Sequence, residues 1–177
     1  AAHGYVARMF GDHTAEFAGR ITLNPLRHID PIGTVVVPLA ILLMSSLAGG
    51  SGFLFGWAKP VPVNIGNLRN PKRDMIWVAA AGPAANILMA IGWVLGFRLL
   101  GAVGVEERFF AEMAVAGVFM NIGLMALNLL PVPPLDGGRI LTGLLPHRLA
   151  WRFAQIEPYG LFIVLALMAT QTLGFFL

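Results

Sequence analysis

Two residues in this chain carry chemistry that their surroundings do not explain: Asp136, at the end of a long apolar run, and His3, near the first residue. No residue between Glu112 and Asp136 is charged. A carboxylate at bilayer depth costs several kcal/mol unless it is paired, protonated, in contact with water or bound to a cation. The run leading to it is Asn128-Leu129-Leu130-Pro131-Val132-Pro133-Pro134-Leu135-Asp136-Gly137-Gly138-Arg139. Its prolines remove amide donors and forbid a regular helix, while Gly137-Gly138 permit backbone angles that other residues resist. Irregular backbone at such depth survives only where protein or a water-filled cavity covers it, so the break marks an interior site. The chain has no cysteine, which excludes thiol chemistry and leaves His3 as the side chain best able to share a metal with Asp136. A lone histidine on an apolar helix is also an ordinary hydrogen-bonded packing residue. His13 and His28 stand in a polar loop with Asp12, Arg27 and Asp30 and read as loop-ordering residues. Arg139 reads either as a partner of Asp136 or as the basic flank of a helix end.

The elements that must position these residues are membrane helices. Of 177 residues 57% are hydrophobic and only 12% charged, with mean hydropathy +0.75, whereas soluble domains carry roughly 25% charged residues. The net charge of +3 comes from basic residues scattered between apolar runs, which suits loops beside anionic lipid and excludes a nucleic-acid surface. Residues 1–10 read as the last turns of a helix whose beginning is missing, stopped at Gly11. Ile32 to Ala48, Met75 to Phe97, Ala111 to Leu130 and Pro158 to Leu177 read as spans, the first kinked by Pro38. Arg139 to Trp151 reads as a short amphipathic helix. The expected fold is an all-α polytopic helical bundle of about four full spans plus a truncated first helix. It has a broken helix at Pro131-Gly138 and a short strand or re-entrant segment around residues 50–64. The whole of 1–177 reads as a single membrane-embedded domain. Assigning alternate loops to alternate sides places Arg8, Arg20, Arg27, Arg98 and Arg108 on one side and the other seven basic residues on the cytoplasmic side.

Five short segments, in order along the chain, resemble the site-2 protease family of intramembrane zinc metalloproteases, in its compact form without a peptide-binding or nucleotide-binding appendage. They are Ala1-Ala2-His3-Gly4-Tyr5-Val6-Ala7-Arg8 with Gly11-Asp12, the stretch from Gly19 to Gly33, Gly56 to Asn64, Gly82-Pro83-Ala84-Ala85-Asn86, and Asn128 to Arg139. In that family a His-Glu-x-x-His helix supplies two zinc ligands and the catalytic glutamate, and an aspartate of a Leu-Asp-Gly motif supplies a third ligand. The resemblance therefore implies His3 and Asp136 as metal ligands and zinc as cofactor. It implies Asn128 as an oxyanion or substrate contact, against an interhelical hydrogen bond read from the residue alone. It places the first histidine and the general-base glutamate ahead of Ala1, so that the chain reads as a fragment of a zinc metalloendopeptidase that lacks one ligand and the general base and is inactive as given. The implied partners are a transmembrane protein substrate and the lipid bilayer, and the implied location is a multi-pass protein of a prokaryotic cell membrane.

Chemistry agrees with this assignment. Two histidines four apart share a helix face and, with a carboxylate, leave the fourth position of a zinc ion open. Extended chain at Ala58 to Asn64 offers an edge on which an unwound substrate could pair, the alternative being a plain surface loop. Two other functions fit parts of the sequence. A transporter or proton-relay component would use Asp136 and His3 at a broken helix, and a noncatalytic membrane scaffold would need neither.

Overall fold

A computed structural model of the chain describes residues 1–22, 24–47, 58–105 and 107–169. In order these form α1 (Ala2–Met9), α2 (Thr14–Phe17), a 3-10 turn (Pro25–His28), a π-helical turn (Pro31–Val36) leading into α3 (Val37–Leu47), a second 3-10 turn (Ile65–Asn67), α4 (Pro71–Ala102), α5 (Arg108–Asn128), α6 (Asp136–Leu144), α7 (His147–Ala154) and α8 (Glu157–Ala169). The described residues contain no strand. The segment expected around 50–64 falls partly at 48–57, outside the described residues, and 58–64 is irregular chain.

α4 organises the rest, with α1, α5 and α6 packed against it. It begins four residues earlier than the uncharged stretch because Pro71 occupies the first helical position, where a missing amide costs nothing. The Asp74 carboxylate also accepts the Asn70 amide at 2.7 Å. With 32 residues it is about 48 Å long at about 1.5 Å per residue, more than the roughly 30 Å of a bilayer's hydrocarbon, so its charged ends emerge from the apolar layer. α5 has 21 residues, and its most apolar window is only 11% buried within the chain. Phe119 is 74% and Leu88 70% exposed. In water each such side chain would forgo about 1.5–3 kcal/mol of burial, so these faces are built for lipid.

Of the four expected spans, these two stand as continuous helices of spanning length. The final one is described only as far as Ala169. The stretch from Ile32 behaves differently. It is described as helix as far as Leu47, and Lys59 donates its amide to the His28 carbonyl at 3.0 Å, so the residues before and after the stretch meet. Pro38 lacks the amide that a regular helix would aim at Thr34, and the wider π turn stands just before it. This meeting corrects the sorting of loops onto two sides: Arg27 and Lys59 lie together, and Arg69 donates to the Phe10 carbonyl at 3.1 Å, beside Arg8. Alternate counting assigns to opposite sides residues that the fold holds next to one another.

α1 runs antiparallel to the start of α4, and its end is clamped by Asp12, a fully buried carboxylate. Asp12 accepts from the Thr14 amide at 3.0 Å, the Thr14 hydroxyl, the Asn64 amide at 2.7 Å and the Asn67 side chain at 3.2 Å. Burial pushes this carboxyl up, but the bonds from Thr14, Asn64 and Asn67 outweigh it and hold it below its ordinary value. Ala7, Leu68, Met75 and Val78 form the core beneath, with Val6, Phe10 and Val63 against them. The expected amphipathic helix from Arg139 to Trp151 is two helices, α6 and α7, parted at Pro146, which cannot continue a helix whose preceding turn needs its amide.

Candidate metal centre

The break after α5 places Asp136 as the first residue of α6. α5 ends at Asn128, the chain turns through Leu129 to Leu135, and α6 folds back against the break. Gly137 is required there, since a Cβ would run into the Leu129 and Leu130 carbonyls. His3 comes from the first turn of α1. The two meet over α4, with His3 Nε2 3.5 Å from Asp136 Oδ2.

Three observations bear on what this pair can do. First, His3 Nδ1 lies 2.8 Å from the Val78 carbonyl. A carbonyl only accepts, so Nδ1 carries the proton, and a neutral ring then presents the Nε2 lone pair toward Asp136. Second, 3.5 Å is too long for a charge-assisted N–H to carboxylate bond, which sits at about 2.7–2.9 Å. Zinc bonds of about 2.1 Å meeting at a tetrahedral angle set neighbouring donor atoms about 3.4 Å apart. Third, a Cβ on Gly82 would stand 2.5 Å from Asp136 Oδ2, 2.5 Å from His3 Cε1 and 2.7 Å from His3 Nε2. The α4 backbone thus forms the floor on which both side chains rest. The donor set of imidazole and carboxylate, its spacing and its fixed tautomer fit a zinc ion. Among the described residues no group of three or more His, Cys, Asp or Glu side chains could hold a metal, so the chain brings two donors together.

A cavity of about 770 Å³ opens beside His3, and Asn86, Asn128, Ile21 and Leu88 line it too. Asn128 thus faces the same space as His3. So does Asn86, although nothing in Gly82-Pro83-Ala84-Ala85-Asn86 distinguishes a cavity wall from a contact face. Arg139 stands 3.8 Å from Glu157 of α8. His13 pairs with Glu16 at 2.8 Å and His28 with the Thr22 carbonyl at 3.1 Å, as loop-ordering residues do. Val78 could not be anticipated, since its contribution is a backbone carbonyl.

Comparison with known proteins supplies the family. The family model described as Peptidase family M50 matches residues 105–170, which include Asn128 and Asp136. The Bacillus subtilis protein named "Putative zinc metalloprotease YwhC" is 38% identical over 179 residues, covering 96% of this chain and 74% of that protein. The protein named "Putative zinc metalloprotease Rip2" is 32% identical in Mycolicibacterium smegmatis and 27% in Mycobacterium tuberculosis, each alignment covering 97% of this chain and 62% of the relative. No solved structure matches the chain significantly. With its apolar, outward-facing helices and these relatives, the chain belongs to peptidase family M50, the site-2 protease family of membrane-embedded zinc metalloproteases.

Proposed function

We propose that this chain forms the membrane core of an intramembrane protease that hydrolyses a peptide bond in or near a transmembrane segment of a membrane-protein substrate, with His3 and Asp136 as two of its zinc ligands. The observation that carries the reading is the 3.5 Å approach of His3 Nε2 to Asp136 Oδ2 with the ring held by Val78. The remaining ligand and the general-base glutamate are assigned to residues of the longer protein outside these 177.

Zinc, when bound, acidifies water and polarises a carbonyl. The chain's own residues do the rest. The Val78 carbonyl fixes the His3 ring, and Asp136 supplies the negative charge that compensates the metal's. Asn128, on the wall of the same cavity, donates its amide N–H toward the oxygen of the scissile carbonyl as that oxygen gains charge, a contact that needs no ionised group at depth. A helical substrate hides its peptide groups in its own hydrogen bonds and has to be held unwound. The irregular segment 58–64 is suited to that task by β-augmentation. It lies along α1, Val61 contacting the Gly4 position, and is pinned at Lys59 by His28 and at Asn64 by Asp12.

A relay or scaffold reading leaves the 3.5 Å spacing of two lone-pair atoms without a purpose. Incubating the full-length protein with a model transmembrane substrate, as native and as Asp136→Ala, tests the proposal. Cleavage that depends on Asp136 and is abolished by a zinc chelator supports it, and cleavage that survives Asp136→Ala overturns it.

A further inference from the structure

A second cavity, of about 330 Å³, lies where the first turn of α4 meets α6, α7 and the start of α8, and shares no lining residue with the cavity beside His3. Its walls include Met75 and Ala150, and its titratable groups are Lys72, Arg139, His147 and Glu157. The Lys72 ammonium donates to the Leu145 carbonyl at the corner between α6 and α7, which fixes that charge in the cavity. Arg139 stands 3.8 Å from Glu157 with its side chain 42% exposed, a loose pairing that leaves guanidinium donors available. Two permanent cations and an imidazole thus face one carboxylate.

The position of this cavity relative to the bilayer follows from its walls. The length of α4 carries its first turn beyond the hydrocarbon. α7 is amphipathic: Ala150 and Ala154 line the cavity, while Arg148, Leu149, Trp151 and Arg152 face outward, Trp151 being 67% exposed. Such a helix lies in the headgroup plane with its tryptophan as anchor. The cavity therefore combines an apolar wall with a cationic mouth at the depth of lipid phosphates.

We propose that it binds one anionic phospholipid of the surrounding bilayer, the phosphodiester held by Lys72, Arg139 and His147 and the upper acyl chain laid along Met75 and Ala150. Charge complementarity selects the anionic lipid: a zwitterionic headgroup would bring its own cation to a site already rich in them. Because Pro133 and Arg139 both line this cavity and flank Asp136 in sequence, the lipid braces the break that carries Asp136. The inference rests on the membrane placement of α4 and α5 and not on the zinc reading, and lipid retention is measured without any peptide cleavage.

The test is lipid retained by the purified full-length protein from micelles of equal phosphatidylglycerol and phosphatidylcholine, counted by native mass spectrometry. One phosphatidylglycerol is expected to persist in the native protein. Lys72→Gln should lower its retention about fivefold, as for a surface cation worth about 1 kcal/mol, and His147→Gln should lower it too, through loss of an imidazole N–H donor. Lys72→Arg should restore it, and Arg98→Gln, at the far end of α4, should leave it unchanged. If Lys72→Gln disturbs the α6–α7 corner, His147→Gln carries the test. Equal retention of both lipids, no loss in either Gln variant, or displacement of the lipid by millimolar inorganic phosphate, which would mark a free-anion site, overturns the proposal.

Discussion

Replacing Gly82 by alanine adds a single methyl group at the one point where α4 touches both proposed ligands. The new Cβ would lie 2.5 Å from Asp136 Oδ2 and 2.5 Å from His3 Cε1, whereas ordinary contact begins at 3.4 Å. The pair must therefore withdraw from the helix by about 0.9 Å, the difference between those two distances. Ligand positions in a zinc site tolerate only about 0.2 Å, so the donors can no longer converge on one ion. Disturbing the support of a metal ligand costs roughly 10- to 100-fold in affinity, and the same range is expected for Gly82→Ala, measured as zinc competition between the full-length protein and a chromophoric chelator. Gly92→Ala is the control. It lies in the same helix with nothing within 4 Å of its would-be Cβ, and alanine should stabilise the helix there by up to about 1 kcal/mol. Zinc affinity unchanged in Gly82→Ala, or lowered equally in Gly92→Ala, would refute the reasoning.

Asp12→Asn should destabilise the protein by about 2–4 kcal/mol, because a neutral amide replaces a buried acceptor of charge-assisted bonds from Thr14, Asn64 and Asn67. Since the folded carboxyl lies below its ordinary value of 3.8, its stabilisation is complete above that value and is lost as pH falls through the lower folded one. Thermal unfolding followed from pH 6 downward should show the native protein approaching Asp12→Asn only in that acid range, and a gap that closes already near pH 6 would contradict this. At the proposed substrate edge, Val61→Pro should slow cleavage of a transmembrane substrate about tenfold, the loss of one main-chain hydrogen bond. Val61→Thr keeps both shape and amide and should cleave at nearly the native rate. Equal rates in the two variants would remove segment 58–64 from substrate binding.

Much of the site was legible because it breaks rules. A carboxylate after a charge-free run, and prolines where a helix ought to continue, announced both Asp136 and the end of α5. The uncharged lengths likewise announced α4 and α5. Hydropathy marks only the part of a helix that lies in lipid, however, so the first turn of α4, with Lys72, Arg73 and Asp74, read as loop. The meeting of His28 and Lys59 rests on a backbone bond that no residue type encodes, and without it the two residues read as lying on opposite sides. Pro146 did carry a signal for the split between α6 and α7, masked by the apolar periodicity on either side of it. Gly82 is a point of close approach. What approaches it is the His3 and Asp136 pair, which only the three-dimensional meeting of α1, α4 and α6 reveals.

The most direct test of the central claim is zinc content per chain in the full-length protein, measured by elemental analysis after exhaustive dialysis, for the native protein, His3→Ala and Asp136→Ala. Retained helicity by circular dichroism establishes that each variant is folded. The account predicts one tightly held zinc in the native protein and loss of it in both variants. A variant that stays folded and keeps its zinc without His3 or without Asp136 would contradict it.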